Sequence, residues 1–279
     1  MTPSAIYRTE AGEAEIKRRY LDLLDRWPVP HERVRVATGQ GETFVVVSGP
    51  PDAPPVVLLH GSGANTTMWM GDVTAWSRHF RVCAVDLIGE PGLSAPSRPP
   101  LGTDAHARWL DEVLDALGVD RAAVVGASLG GLLAADYATR RPERVDRLVL
   151  LCPGGIGRQK VGVLVKAVLL RPFGDRGLRR GVRSIAGIGA DAPFLDQVVL
   201  HFTHFRPRLE RLPLLTDEVL RRLAMPTLVI VGERDAMLDS AGTARRVRRA
   251  VPHATVVVLP GVGHSITGQT EEVLGFLRA

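Results

Sequence analysis

Cysteine is scarce in this 279-residue chain: only Cys83 and Cys152 occur, each in or at the end of an apolar, strand-like run. Two such residues exclude a disulfide-stapled scaffold and a cysteine-rich metal site, and buried free thiols are expected instead. Long hydrophobic runs are missing as well. No stretch approaches the roughly 18 to 20 apolar residues that span a bilayer, and residues 1–20 are charged and polar without a signal-peptide core. A cytoplasmic protein with no stable membrane insertion is therefore expected. Acidic residues are thin in one segment only. Gly154 to Leu212 holds eleven Lys/Arg against four Asp/Glu, a balance of +7, whereas the rest of the chain, with 24 against 26, sits at −2. The overall charge of +5 thus belongs to one insert. With few aromatics and no nucleic-acid motif there, a basic protein surface is expected and no nucleic-acid partner. Internal repeats and low-complexity tracts are also absent.

What is present is enough apolar material, 45% of residues, for one large domain with an insertion. Ile16, Tyr20, Leu23 and Leu24 fall at helical spacing within Glu10 to Arg26, and Trp27-Pro28-Val29-Pro30 ends that pattern. Two β-rich runs, Arg33 to Ala37 and Thr43 to Ser48, are joined through Thr38-Gly39-Gln40-Gly41 and read as a hairpin. Val56 to Leu59 and Arg81 to Leu87 are continuous apolar runs, as in strands covered on both faces. Helices and strands then alternate: helix Asp104 to Leu117, strand Ala122 to Val125, helix Leu129 to Arg140, strand Val145 to Cys152. After the insert come strand Thr227 to Val231, helix Ala241 to Ala250, strand Thr255 to Leu259 and a helix from about Thr270 to Leu277. Repeated βαβ units with right-handed crossovers predict an α/β fold with a mostly parallel eight-stranded sheet and helices on both faces. Residues 1–152 and 216–279 read as its core and 153–215 as a helical cap insertion. Within the cap, Val161, Leu164, Val165, Val168 and Leu169 mark one apolar helix face, and Arg171, Arg176, Arg179, Arg180 and Arg183 follow it. Loops at the carboxyl ends of the parallel strands are where a site would form.

The motif with most chemical content is Gly126-Ala127-Ser128-Leu129-Gly130, set between an apolar strand and a helix. A serine hydroxyl is a poor nucleophile, and a sharp strand-to-helix turn lifts it clear of the chain beside a base and backbone N–H donors. Ser128 is therefore a candidate nucleophile. Its base must be a histidine held in one tautomer by an anion. Among eight histidines, His264 follows the last strand inside Pro260-Gly261-Val262-Gly263-His264-Ser265, where glycines can aim it back over the strand ends. Asp235, just past the preceding strand, is the candidate acid; Glu233 and Asp239 are its neighbours, and Asp239 also suits a helix N-cap.

Two amides should meet the negative charge that develops on a substrate carbonyl. Leu129 N–H stands at the start of the elbow helix, and Ser62 N–H belongs to His60-Gly61-Ser62-Gly63, directly after a strand. His60 reads as a structural residue that holds this loop. Gly61, Met68, Trp69, His201 and His204 are candidates for a substrate pocket. His201 and His204 are spaced i, i+3 without a third ligand at matching spacing, so no metal is expected, and no cofactor motif occurs.

Taken in order, Leu59-His60-Gly61-Ser62-Gly63, Asp86 to Ser94, the Ser128 elbow, Gly232-Glu233-Arg234-Asp235 and Gly263-His264 resemble the α/β-hydrolase fold superfamily over nearly the whole chain. Arg26 to Pro30, Thr67-Met68-Trp69 and the Asp86 to Ser94 segment are similar to bacterial carboxylesterases of the naproxen-esterase type. The resemblance implies a serine hydrolase with Ser128, Asp235 and His264 as its triad and a small-molecule ester or acyl compound as substrate. It leaves open a thioester, a lactone, a C–C bond, or acyl transfer or cyclisation in a biosynthetic pathway. A ligand-binding protein on the same fold is the non-enzymatic alternative. Epoxide and haloalkane hydrolysis need a carboxylate where Ser128 stands. One departure is Glu90-Pro91 within Asp86 to Ser94, where the family carries Asp-x-x-Gly-x-Gly-x-Ser. The basic cap is also a possible docking face for an acyl carrier. Oligomeric state is not legible.

Overall fold

The computed structural model describes residues 5–160, 174–186 and 195–279. Its eight strands are β1 (His31–Thr38), β2 (Gly41–Ser48), β3 (Pro55–Leu59), β4 (Arg81–Val85), β5 (Ala122–Ala127), β6 (Val145–Leu151), β7 (Thr227–Gly232) and β8 (Thr255–Leu259). They form one sheet in the order β1-β2-β4-β3-β5-β6-β7-β8. Pairs β1/β2 and β2/β4 are antiparallel, and every pair from β4 to β8 is parallel. The hairpin closes with Thr38 opposite Gly41, as the Thr-Gly-Gln-Gly signal requires.

Nine helices are described: α1 (Glu10–Leu24), α2 (Met70–Trp76), α3 (Ala105–Ala116), α4 (Leu129–Arg140), α5 (Gly174–Ala186), α6 (Leu195–His204), α7 (Asp217–Leu220), α8 (Ser240–Ala250) and α9 (Thr270–Arg278). The side-chain period of two in the strands sorts them onto two faces. Val57 and Leu59 of β3 join Leu110 and Val113 of α3, Leu132 and Ala135 of α4, and Val247 of α8 in one cluster. Val56 and Leu58 join Tyr20 and Leu24 of α1, Val73 and Trp76 of α2, and Val273 and Leu277 of α9 in the other. Burying a large apolar side chain contributes roughly 1.5–3 kcal/mol, so packing on both faces holds the helices to the sheet that carries the site.

Helix ends follow local chemistry. The Thr9 hydroxyl accepts from Gly12 N at 3.0 Å and starts α1, and the Asp239 carboxylate accepts from Gly242 N at 2.9 Å and starts α8. Cys83 on β4 and Cys152 after β6 are free and buried, with β3 and β5 between their strands. The expected helix over Val161 to Leu169 lies outside the described residues.

Candidate active site

Strand β5 delivers Ser128 to the carboxyl edge of the sheet. Its backbone sits at φ 52° and ψ −109°, a left-handed conformation that costs a non-glycine residue on the order of 1–3 kcal/mol. Surrounding bonds hold it there. Ser128 N donates to Leu151 O at 2.9 Å, while Leu132 N and Gly154 N donate to Ser128 O at 3.0 and 2.9 Å. Close packing also demands glycine on either side. A Cβ on Gly126 would stand 2.4 Å from Gly130 O, and one on Gly130 would stand 2.1 Å from Leu59 O. The elbow therefore wedges α4 directly against the end of β3.

The loops after β7 and β8 are zipped together: Glu233 N donates to Leu259 O at 3.0 Å and Arg234 N to Val262 O at 2.8 Å. This places His264 between Asp235 and Ser128. His264 Nδ1 donates to Asp235 Oδ2 at 2.7 Å, which leaves Nε2 with its lone pair directed at Ser128 Oγ, 3.0 Å away. Asp235 is 1% exposed, and its Oδ1 accepts from Met237 N at 2.7 Å and Leu238 N at 3.0 Å. Burial alone would raise its pKa, but the hydrogen bond and charge of His264 and those two amides outweigh it and hold the carboxyl below the usual range. The acid beside His264 is thus fixed as an anion. Of its neighbours in sequence, Glu233 instead accepts from Gly261 N at 2.9 Å, and Asp239 caps α8.

The loop after β3 approaches Ser128 from the other side. A Cβ on Gly61 would lie 3.4 Å from Ser128 Cβ. Gly61 O accepts from His60 Nδ1 at 2.8 Å, and His60 Nε2 accepts from Leu87 N at 2.9 Å. Only a neutral imidazole can do both, and burial pushes the His60 pKa down to about 4. Because C=O and N–H point oppositely across a trans peptide, fixing Gly61 O on the His60 ring turns Ser62 N–H the other way. Neither Ser62 N nor Leu129 N has an acceptor among the described residues.

The remaining sequence candidates are placed unevenly. Trp69 is 1% exposed and packs against Trp76 in the core, whereas Met68 is 41% exposed. His201 is buried on α6 and its Nδ1 donates to Gly63 O at 2.7 Å. His204, one turn further, packs against Gly12 of α1. Arg179 of α5 is paired with Asp196 of α6 at 2.7 Å. Three contributors were not singled out from sequence as site residues. Glu90 is buried and accepts from Gly63 N at 2.6 Å and Ser62 Oγ at 3.1 Å. Asp86, also buried, accepts from Thr66 N at 3.0 Å, Leu93 N at 2.9 Å and the Tyr20 hydroxyl at 2.8 Å. Gln197 of α6 donates to Thr67 Oγ1 at 2.9 Å. The Glu90-Pro91 departure from the family pattern was the one signal of the first. Among the described residues no cluster of three or more His, Cys, Asp or Glu could hold a metal, and no helix is long and apolar enough to cross a membrane.

A model of the α/β-hydrolase fold family matches residues 54–184. An uncharacterised carboxylesterase, nap, of Bacillus subtilis is 31% identical over 93% of this chain and 91% of its own length; carboxylesterase YbfK of the same organism is 31% identical over 92% of each. Among solved structures, carboxylesterase CesB (YbfK) from Bacillus subtilis superposes with a TM-score of 0.84 at 30% identity, covering 96% of this chain and 98% of that one. Naproxen esterase (carboxylesterase NP) from the same species gives 0.82 at 29%, with 95% and 97% covered. The chain belongs to the α/β-hydrolase fold family and is an enzyme of that class. Its particular likeness, at this level of identity and over nearly its full length, is to these Bacillus carboxylesterases.

Proposed function

We propose that this enzyme hydrolyses carboxylic esters of small molecules through an acyl-enzyme on Ser128. The observation that carries the reading is the unbroken chain from Asp235 Oδ2 through His264 to Ser128 Oγ at 2.7 and 3.0 Å. As Ser128 Oγ attacks the ester carbonyl, its proton passes to His264 Nε2, and the buried Asp235 anion stabilises the imidazolium that results. Charge that collects on the carbonyl oxygen is met by Ser62 N–H and Leu129 N–H, which have no other partner among the described residues. His264 then returns the proton to the departing alkoxide oxygen. A water molecule, deprotonated by the same nitrogen, attacks the acyl-enzyme and frees Ser128. In this reading residues 1–152 and 216–279 carry the chemistry, and residues 153–215 cap it. Similarity to carboxylesterases favours esters over the other acyl compounds on which the same triad could act.

The test is a series of p-nitrophenyl esters of rising acyl length given to the wild type and to Ser128→Ala. Turnover by the wild type that falls by at least about 10⁴-fold in the variant is expected. Equal turnover by the two proteins would remove Ser128 from the mechanism.

A further inference from the structure

The Gly63 peptide units are gripped from two parts of the molecule. Gly63 has φ +71°, and its N–H is held by Glu90 Oε2, which also takes the Ser62 hydroxyl. Its C=O accepts from His201 Nδ1. Glu90 comes from the connection after β4, and His201 from α6, in the segment between β6 and β7. We propose that Glu90 and His201 are positioning residues that fix the Ser62 amide against the substrate oxyanion by holding the next residue, Gly63, at both ends. The proposal rests on the ester-hydrolase reading above.

Three observations support it. First, the oxyanion loop is glycine-rich on both sides of Ser62, so its peptides are free to rotate unless something outside the loop restrains them. His60 restrains the peptide before Ser62, and Glu90 and His201 restrain those after it. Second, both restraints are dry. Glu90 is 1% and His201 3% exposed, so water cannot substitute for either bond without entering the protein. Third, Glu90 lies beside cationic groups. The charged and titratable groups that face it are Arg98 from its own connection, Arg208 from the segment after α6, and Tyr7 ahead of α1. Arg208 Nε lies 3.9 Å from Glu90 Oε1, and both side chains are buried. The positive charges of Arg98 and Arg208 favour the ionised carboxylate that accepts from the loop, and α6 carries His201 onto the same residue from outside the sheet. Gln197, one turn before His201, bonds Thr67 and so holds α6 on this loop. Seating of the helix and orientation of the amide are therefore one event.

An oxyanion donor acts on the transition state more than on the ground state, so a displaced Ser62 amide lowers kcat and spares KM. Wild type, Ser128→Ala, His201→Leu, His201→Asn and Glu90→Gln are compared on p-nitrophenyl butyrate, with thermal melts to confirm folding. His201→Leu is expected to lower kcat about 30-fold with KM changed less than about threefold. Asparagine places an N–H donor where Nδ1 stands, so His201→Asn should recover to within about threefold of wild type. Glu90→Gln, a weaker neutral acceptor, should lose about five- to tenfold in kcat. The proposal is overturned if Ser128→Ala is inactive while His201→Leu and Glu90→Gln keep kcat within about twofold of wild type, or if the Asn variant is as slow as the Leu variant. If His201→Leu does not fold, Glu90→Gln decides by the same twofold limit. Activity in Ser128→Ala would instead overturn the hydrolase reading itself.

Discussion

The carboxyl edge of the sheet and the segment between β6 and β7 reach the same few ångströms around Ser128 by different routes. At the sheet edge, each group of the proposed triad sits past the end of a strand whose neighbours fix it: Ser128 after β5, Asp235 after β7, His264 after β8. Strand register sets their spacing, and backbone bonds lock the loops that carry them. The β6–β7 segment contributes no reactive atom in the described residues. It contributes restraint: His201 on Gly63 O, Gln197 on Thr67, Arg208 behind Glu90, and Lys160, whose Nζ donates to Asp235 O at 2.6 Å. On the proposed mechanism, the difference teaches that the fold supplies chemistry from the strand ends and alignment from the insert.

If that division holds, damage at the sheet edge should be large and damage in the insert graded. After Ser128→Ala, the largest effect is expected from Asp235→Asn. The amide can no longer stabilise the imidazolium or enforce Nδ1–H, so kcat should fall about 10³- to 10⁴-fold, with a far-ultraviolet spectrum like that of the wild type. Gly130→Ala should act on stability instead. Its Cβ would meet the Leu59 carbonyl at 2.1 Å, a backbone atom that cannot swing aside, and a loss of about 3 kcal/mol or more in urea unfolding is expected. Gln197→Ala, in the insert, removes a half-buried hydrogen bond worth about 1 kcal/mol and should slow turnover no more than about threefold. A thousandfold loss there would break the division, because it would make the insert a source of chemistry.

The smallest effects separate the two regions by the sign of their pH dependence. Burial pushes His201 down to about 4 from an ordinary value near 6.5, so the unfolded chain takes up a proton first as pH falls. Its contribution is complete above about pH 6.5 and is lost progressively down to about 4. His201→Asn should therefore flatten the fall in Tm over that window. Glu90 works the other way. Burial raises it to about 7 against the opposing pull of Gly63 N, Arg98, Ser62 and Arg208, so folding loses stability as pH rises from the ordinary carboxylate range to about 7. Glu90→Gln should remove that loss, measured as Tm between pH 4 and 8. Equal pH slopes in wild type and variant would mean that these groups titrate in the folded protein as they do in the unfolded chain.

Legibility in the sequence divides along the same line. Ser128 was readable because the elbow is local: a strand, five residues and a helix contain all of its constraints. Asp235 and His264 could be named because each directly follows an apolar strand, and parallel strands bring such ends together. Strand limits matched to within a few residues, since continuous apolar runs bounded by turn residues mark most of them. The short turn of Thr66–Trp69 and helix α2 were not anticipated, because Thr66-Thr67-Met68 carries no periodic apolar pattern and the turn is held by distant groups, Asp86 among them. Helix α6 did leave a trace, Leu195, Val198, Val199 and Phe202 at helical spacing, which identifies a buried face without saying what it faces. His201 reads as a pocket residue in sequence, and its Nδ1 is bonded to Gly63 O, 138 positions away. Pairings of that range depend on how the insert seats, and no local pattern encodes them. Glu90 shows the same limit: its oddity within Asp86 to Ser94 was visible, and its hydrogen bond from Gly63 N appears only in the folded chain.

The central claim is that Ser128 is the nucleophile made reactive by His264 and Asp235. Incubation with a fluorophosphonate followed by peptide mapping tests it most directly. The account predicts one phosphonyl group per chain, on Ser128, formed rapidly by the wild type and slowed by at least about 10²-fold in His264→Ala. Labelling at another residue, or labelling of Ser128 at the same rate in both proteins, would contradict it.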